Sequence, residues 1–231
     1  MGDNTPMHIS SPRTRIKICG FTREQDVDAA VAAGVDAVGF VLYAPSPRAV
    51  TPQQAARLAR RLPPFVTPVL LFVNACDELL QEARDAVPHA SWQFHGDETP
   101  QQCEQAAGPQ RAWLRAAHIP LGGGNAFDLL QFCDLYSRAQ AILLDAKVDG
   151  YGGGGKAFDW SQLPTNVNAH LVLSGGLTPA NVGDGIVRLR DNCKSLSVDV
   201  SSGVESAKGI KDADKMRAFV AAVRAADAQS A

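Results

Sequence analysis

Short apolar runs, many of them rich in β-branched residues, alternate along the chain with longer amphipathic stretches. Several of the runs are uninterrupted instead of alternating with polar residues, which is typical of strands buried on both faces of a parallel sheet. The amphipathic stretches between the runs predict helices. The eight predicted strands are residues 16–19, 37–42, 68–73, 91–94, 112–115, 141–144, 170–173 and 196–200.

Several helix boundaries carry local signals. A threonine followed by proline predicts a helix start, with threonine as the N-cap and proline at the first helical position. Gly34 follows the first apolar stripe and predicts the end of the first helix. The last helix is predicted over residues 212–226. The three Thr-Pro pairs are Thr51-Pro52, Thr99-Pro100 and Thr178-Pro179.

The alternation of strands and helices predicts an α/β fold with a parallel sheet and right-handed crossovers. An open, doubly wound sheet is one possible architecture. The count of eight strand–helix units and the concentration of unusual residues directly after strands favour a closed (β/α)₈ TIM barrel instead. No linker divides the chain, so we predict a mobile polar leader at residues 1–14 and a single barrel domain over residues 15–227.

Composition narrows the possible partners and the cellular location. The net charge is -2 and no run of Lys or Arg is present, so a nucleic-acid partner is not expected. Five widely separated cysteines without a CxxC pair fit neither a disulfide framework nor a zinc site. No apolar run approaches the ~20 residues of a membrane helix, and the first residues lack a signal-peptide pattern. We therefore expect a soluble cytoplasmic protein without membrane contact.

Cys19 ends the first predicted strand, and alternation places Lys17 on the same face. A thiol is a poor base at neutral pH unless its thiolate is stabilised. The positive N-termini of the helices after each strand would provide that stabilisation at the rim of a barrel. A buried structural cysteine is an equally good interpretation of Cys19 from the sequence alone.

Asp145 ends the sixth predicted strand, an apolar segment in which a charged carboxylate is costly to bury. Such a carboxyl suits general acid catalysis, although an aspartate that caps the following turn fits equally well. The run Gly152–Gly155 predicts a mobile lid or a plain linker. Its order does not match a Walker loop, so nucleotide binding is not indicated.

Glycine-bearing loops follow the seventh and eighth predicted strands, at residues 174–177 and 201–203. In TIM barrels these two loops usually bind phosphate through backbone N–H groups, and ordinary turns are the alternative. Closure of the barrel brings strand 1 beside strand 8 and strand 6 beside strand 7. Cys19 and Asp145 would then flank a bound sugar phosphate as base and acid, which is the arrangement of a sugar-phosphate isomerase.

Other strand ends add candidate contacts. Arg48 suits a substrate carboxylate, although an exposed loop arginine is equally compatible with the sequence. Gln93 and His95 share a face after the fourth strand and are interpreted as pocket lining or substrate contacts. His95 lacks a matching acidic or histidine partner in the sequence pattern, and there is no dinucleotide fingerprint. We therefore expect neither a metal nor a cofactor.

Over residues 16–223 the chain resembles the phosphoribosylanthranilate isomerase family of tryptophan biosynthesis. The run Gly122–Gly124 departs from the family pattern, but the motifs occur in the family order. They are Lys17-Ile-Cys-Gly, Asp36-Ala-Val-Gly-Phe, Ser46-Pro-Arg, Phe72-Val-Asn, Gln93-Phe-His-Gly, Leu143-Leu-Asp, residues 152–160, Leu173-Ser-Gly-Gly-Leu and Val198-Asp-Val-Ser-Ser-Gly-Val-Glu.

The resemblance implies a TIM barrel that converts N-(5-phosphoribosyl)anthranilate into 1-(2-carboxyphenylamino)-1-deoxyribulose 5-phosphate by an Amadori rearrangement without a cofactor. It implies that Cys19 is the general base, Asp145 the general acid and Arg48 the contact for the anthranilate carboxylate. It implies phosphate contacts at Gly175, Gly176, Ser202 and Gly203. Asp199 is predicted as a further substrate contact, beside Gln93 and His95.

Two related enzymes fit the strand ends less well. Indole-glycerol-phosphate synthase uses Lys and Glu there, and the histidine-pathway isomerase pairs two aspartates, whereas the first strand here ends in Cys19. A non-catalytic sugar-phosphate binding protein is a further alternative, and retention of both Cys19 and Asp145 argues against it. A monomer and a homodimer are both compatible with the sequence, as is acceptance of a histidine-pathway aminoaldose.

Overall fold

The computed structural model describes residues 13–120, 127–146 and 159–229. Eight parallel strands form a closed barrel in chain order, so the predicted (β/α)₈ TIM barrel is confirmed. All eight predicted strands are present, and most are longer by one to three residues. They are β1 (Arg15–Cys19), β2 (Ala37–Val41), β3 (Thr67–Phe72), β4 (Ser91–Phe94), β5 (Trp113–Ile119), β6 (Ala141–Ala146), β7 (Val167–Leu173) and β8 (Cys193–Val200).

Seven α-helices surround the barrel in the described ranges. Between β6 and β7 these ranges contain only a 3₁₀ turn at Trp160–Gln162, where the repeating pattern predicts a helix. A short hairpin of β9 (Glu205–Ala207) and β10 (Ile210–Lys211) follows β8. The helices are α1 (Glu24–Ala33), α2 (Pro52–Ala59), α3 (Asp77–Ala86), α4 (Pro100–Ala107), α5 (Leu129–Leu135), α6 (Val182–Leu189) and α7 (Ala213–Ala228).

Two of the three predicted Thr-Pro helix starts are confirmed. Thr51 and Thr99 each form a capping box with the glutamine three residues later. The start predicted at Thr178 is wrong, because α6 begins only at Val182. The Asn181 side chain accepts a hydrogen bond from the Thr178 N–H and donates one to the Gly176 carbonyl. This pair of bonds holds the intervening residues in a turn.

The barrel strands point alternate side chains outward to the helices and inward to the barrel axis. Ile16 and Ile18 of β1 belong to the large apolar core that the helices cover. Lys17 and Cys19 lie on the opposite face, as predicted, and Cys19 packs in a small cluster with Val41 and neighbouring residues at one end of the barrel. The interior is therefore filled by side chains, and its carboxyl-terminal end carries the polar ones.

Thr14 connects the start of the described chain to α7 at the amino-terminal end of the barrel. It is buried and donates hydrogen bonds to Asp227 of α7 through both its N–H and its hydroxyl. Residues 1–12 of the predicted leader at residues 1–14 lie outside the described residues, as do the glycine runs Gly122–Gly124 and Gly152–Gly155. Within the described ranges, none of the helices combines the length and apolar character that a membrane crossing requires.

Candidate active site

A cavity opens at the carboxyl-terminal end of the barrel, at the ends of β1, β2, β3, β4, β6, β7 and β8. Every predicted site residue except Gly203 lies in its wall, so strands that are distant in sequence supply one common site. The wall consists of Cys19, Val41, Tyr43, Ser46, Arg48, Leu71, Val73, Gln93, His95, Asp145, Ser174, Gly175, Gly176, Leu177, Asp199, Val200, Ser201 and Ser202.

Cys19 occupies the last position of β1 and is 5% exposed. Gly39 on the neighbouring strand makes room for the thiol, because a Cβ there would lie 2.6 Å from the sulfur. Burial raises the pKa of Cys19, and the positive charges of Lys17 and Lys211 only partly oppose this effect. Burial therefore outweighs the two lysine charges, and stabilisation of the thiolate by the helix N-termini at the rim stays a prediction.

Asp145 lies in β6 on the other side of the cavity and is 6% exposed. Its Oδ1 accepts a hydrogen bond from the Ala146 N–H at 3.0 Å, and its Oδ2 lies 3.1 Å from His95 Nε2. Gly175 approaches so closely that a Cβ there would lie 3.0 Å from Asp145 Oδ1 and 2.6 Å from the Ala146 nitrogen. The loop after β7 is thus in direct contact with the carboxyl group.

The loops after β7 and β8 also contact each other. Gly175 and Gly176 both have φ near +70°, a conformation that L side chains rarely adopt. Gly203 does not line the cavity; it packs against the loop after β7, where a Cβ would lie 1.9 Å from the Leu177 carbonyl oxygen. Glycine at these positions lets two backbone loops converge on the same edge of the cavity.

The packing of Gly203 predicts a large effect of the smallest possible substitution. We expect Gly203→Ala to lower the free energy of unfolding by about 1–3 kcal/mol, because the added methyl group overlaps the Leu177 carbonyl. Gly183→Ala is the matched control, since its Cβ would meet nothing closer than 3.9 Å and alanine favours the helix. Urea unfolding measures both; equal stability of Gly203→Ala and wild type would contradict the described packing.

His95 has partners that the sequence pattern did not reveal. Its ring lies against the ring of His118 from β5, with centroids 5.1 Å apart, and it reaches Asp145. Ligand atoms of these three residues lie within 4.8 Å of one another, so the premise that His95 lacks a metal-ligating partner is wrong. A hydrogen bond between His95 and Asp145, and one between His118 and the His95 carbonyl, account for this grouping. The absence of a metal stays a prediction.

Comparison with known proteins identifies the family. A family model described as N-(5'phosphoribosyl)anthranilate (PRA) isomerase matches residues 16–222, which is most of the chain. The chain belongs to the phosphoribosylanthranilate isomerase family.

Individual members of the phosphoribosylanthranilate isomerase family are similar over almost their whole length. The N-(5'-phosphoribosyl)anthranilate isomerase of Methylibium petroleiphilum is 63% identical, with 95% of this chain and 98% of the relative covered. The Leptothrix cholodnii enzyme is 60% identical, with 97% of both chains covered. The crystal structure of the Thermotoga maritima isomerase superposes with a TM-score of 0.79 at 37% identity, covering 92% of this chain and 99% of the other.

Arg48 is held by Glu205, which Lys211 holds in turn, and the sequence analysis singled out neither residue. Its Nε and Nη2 donate to the two carboxylate oxygens of Glu205 at 2.7 and 2.8 Å. The Lys211 ammonium donates to the same carboxylate at 2.8 Å and also to the Ser201 carbonyl. These bonds lower the pKa of Glu205 despite its burial. Glu205 and Lys211 come from the hairpin after β8, and only the closed barrel brings them to the β2 loop.

Lys17 and Asp199 form a second buried ion pair, and Asp199 lies in the cavity wall. Lys17 Nζ lies 2.8 Å from Asp199 Oδ2, and both side chains are about one-twentieth exposed. The Lys17 charge also interacts electrostatically with Cys19, two residues further along the same strand face. Strand alternation was the sequence signal for Lys17, but its pairing with Asp199 depends on β1 and β8 being neighbours.

Proposed function

We propose that the chain converts N-(5-phosphoribosyl)anthranilate into 1-(2-carboxyphenylamino)-1-deoxyribulose 5-phosphate by acid–base catalysis. Family membership gives the reaction. The observation that carries the assignment of roles is that Cys19 and Asp145, from opposite sides of the barrel, line one cavity together with both glycine-bearing loops. A structure of the phosphoribosyl anthranilate isomerase in complex with a reduced form of this product has a TM-score of 0.74 to the chain at 33% identity.

The cavity wall offers a complementary group for each part of this substrate. Backbone N–H groups of Gly175, Gly176 and Ser202 would bind the phosphate, with Gly203 supporting their approach. Asp199 Oδ1 and Gln93 Oε1 are buried acceptor atoms without a partner among the described residues, which suits the hydroxyl groups of a ribose. The apolar patch that suits the anthranilate ring consists of Val41, Tyr43, Leu71 and Val73.

The anthranilate carboxylate would bind near Arg48. Glu205 accepts hydrogen bonds from Nε and Nη2 of the guanidinium. This pairing leaves the third nitrogen, Nη1, to bind a substrate carboxylate. Glu205 and Lys211 would fix the position of Arg48 before the substrate arrives. A fixed guanidinium loses little conformational entropy on binding, which favours affinity.

The proposed reaction begins at the furanose ring. Asp145 protonates the ring oxygen, the bond between that oxygen and C1 breaks, and the anthranilate nitrogen lone pair forms an iminium with C1. The Cys19 thiolate then removes the proton from C2, and the electron pair of that C–H bond forms an enolamine. Tautomerisation to the ketone completes the rearrangement. No electron leaves the substrate, because C1 is reduced as C2 is oxidised.

Lys17 is the cation that would lower the cost of forming the Cys19 thiolate. Its charge lowers the pKa of the thiol against the effect of burial, and Asp199 holds the ammonium in place. We expect Lys17→Met to raise the pKa of Cys19 further and to move the acidic limb of the kcat/KM profile to higher pH. Activity at pH 7 should therefore fall, because a smaller fraction of Cys19 is then in the thiolate form. Lys17→Arg, which keeps the charge, should retain more activity.

The pH dependence of Cys19 alkylation by iodoacetamide checks this expectation without turnover. Cys76→Ser is the suitable background, because Cys76 is exposed and would react first. The double variant Lys17→Met/Asp199→Asn avoids leaving an unpaired buried carboxylate. An unchanged alkylation profile in the single variant Lys17→Met would contradict the electrostatic role of Lys17. In the double variant we expect a smaller change, because the charge of Asp199, which raises the pKa of Cys19, is lost as well.

Loss of the fluorescence of N-(5-phosphoribosyl)anthranilate on addition of the purified chain tests the proposed function. Turnover at a rate typical of enzymes, together with rescue of a tryptophan auxotroph that lacks this step, would support it. Binding of the reduced product without turnover would instead identify a non-catalytic sugar-phosphate binding protein. A parallel assay with the histidine-pathway aminoaldose determines whether the cavity accepts a second substrate.

We infer that the chain acts as a monomer or a homodimer in the cytoplasm. A Thermotoga maritima phosphoribosylanthranilate isomerase with a TM-score of 0.70 and 32% identity is described as dimeric, and monomers of it have also been solved.

A further inference from the structure

Three side chains form a row of hydrogen bonds that ends on the proposed acid. Gln93 Nε2 lies 3.2 Å from His95 Nδ1, and His95 Nε2 lies 3.1 Å from Asp145 Oδ2. All three side chains are buried, so water does not compete freely for these bonds. The two residues from β4, Gln93 and His95, therefore act on Asp145 as one unit.

The row fixes where the proton of a neutral His95 lies. An amide nitrogen only donates hydrogen bonds, so His95 Nδ1 must accept from Gln93 Nε2 and carries no proton. A neutral imidazole has one N–H, which then lies on Nε2 and donates to Asp145 Oδ2. Asp145 Oδ1 accepts from the Ala146 N–H and is the remaining oxygen that can carry the proton for the substrate.

The orientation of the Gln93 amide decides between the two tautomers. In the observed orientation, Oε1 is buried without a partner among the described residues, and one amide N–H is used by His95. The reversed orientation would turn the whole amide NH₂ group to the position that has no acceptor. Buried N–H groups are left unpaired less often than carbonyl oxygens, so the observed orientation is the less costly one. Its Oε1 also remains available to a substrate hydroxyl.

Neighbouring groups restrict the His95 ring and set its electrostatic environment. The edge-to-face contact with His118 opposes rotation of the ring, and His118 Nε2 lies 3.2 Å from the His95 carbonyl oxygen. His118 on β5, Asp145 on β6 and Asp199 on β8 all interact electrostatically with His95. Burial, with His95 adding to it, lowers the pKa of His118, so this neighbour is neutral at mildly alkaline pH.

We propose that Gln93 and His95 are positioning residues, in which Gln93 selects the Nε2–H tautomer of His95 so that the imidazole donates a hydrogen bond to Asp145 throughout the reaction. The catalytic consequence rests on the proposed function. When Asp145 gives up its proton to the ring oxygen, negative charge develops on a carboxylate that already accepts this bond. A preorganised donor at a developing charge lowers the barrier without further rearrangement.

Nitrogen-15 NMR of the histidine rings in the unliganded wild-type chain tests the tautomer directly. The chain has five histidines, and comparison with His95→Gln assigns the signals of His95. At mildly alkaline pH we expect Nε2 to be protonated and Nδ1 to be unprotonated. A protonated Nδ1, as either the other tautomer or an imidazolium, would overturn the proposal. This result does not depend on turnover, so it stands apart from any failure of the proposed function.

Variants of Gln93 test whether this residue selects the tautomer. In Gln93→Glu the new carboxylate accepts a hydrogen bond, so we expect a proton to appear on His95 Nδ1. Gln93→Met is the matched control that removes the amide without adding a charge, and it should give a mixture of tautomers. An unprotonated Nδ1 in Gln93→Glu would show that something other than Gln93 sets the tautomer.

Variants of His95 test the effect on catalysis. We expect His95→Leu to lower kcat by roughly 10²–10³-fold, the effect of losing one donor at a developing charge. In His95→Gln the amide nitrogen can take the place of Nε2–H, so kcat should recover to within about tenfold of wild type. Equal kcat values for His95→Gln and His95→Leu would contradict a donor role, because only the donor distinguishes them.

Discussion

Cys19→Ala is expected to lower kcat by ~10²–10⁴ or more, because the variant has no group that can remove the proton from C2 of the substrate. Alanine is smaller than cysteine and about as apolar, so it fits the buried site at the end of β1. The backbone carbonyl of Cys19, which accepts a hydrogen bond from the Ser201 hydroxyl, is retained. Steady-state turnover and circular dichroism measure activity and folding on the same samples.

The matched control for Cys19→Ala is Cys103→Ala. Cys103 is also buried, but it lies on α4 away from the cavity, and burial raises the pKa of its thiol to about 12. We expect normal turnover in this variant, apart from any small loss of stability. Near-normal kcat in Cys19→Ala would exclude the thiol as the base. A large loss in Cys103→Ala would indicate that the assay responds to folding and not to chemistry.

Asp145→Asn is expected to have an effect of the same order, ~10²–10⁴ in kcat, because an amide cannot give a proton to the ring oxygen. Its side-chain oxygen can still accept from His95 Nε2–H, while the amide nitrogen takes the place of Oδ1 and the hydrogen bond from the Ala146 N–H is lost. Removal of a group that acts only in the transition state lowers kcat and kcat/KM equally. We therefore expect KM to change little.

Asp128→Asn is the control for Asp145→Asn. Asp128 is the N-cap of α5, where it accepts a hydrogen bond from the Gln131 N–H, and asparagine caps helices equally well. Its kcat and stability should both match wild type. If Asp145→Asn changed only KM, Asp145 would be a binding residue, and the proposed proton transfer to the ring oxygen would need a different donor.

The barrel could be predicted from the sequence because its strands are buried on both faces. An uninterrupted run such as residues 141–144 is recognisable without any long-range information. The predicted helix start at Thr178 was wrong because a tertiary contact overrides the local signal. The Asn181 side chain donates a hydrogen bond to the Gly176 carbonyl and holds these residues in a turn. Local patterns therefore located the elements well and their boundaries less well.

The candidate site was predictable where a residue type and a strand end coincide, as at Cys19. The electrostatics of the site could not be predicted, because the pKa of the Cys19 thiol depends on burial and on Lys17 together. Ion pairs formed across the barrel could not be predicted from the sequence either. Arg48 and Glu205 are 157 residues apart, and only the closure of the sheet makes them partners.

A crystal structure of this chain with reduced 1-(o-carboxyphenylamino)-1-deoxyribulose 5-phosphate tests the central claim most directly. With the phosphate bound by the loops after β7 and β8, we expect the Cys19 sulfur at about 3–3.5 Å from C2. An Asp145 oxygen should lie within hydrogen-bonding distance, about 3 Å, of the hydroxyl that corresponds to the ring oxygen. A complex in which either side chain faces away from the bound sugar would contradict the proposed acid–base pair.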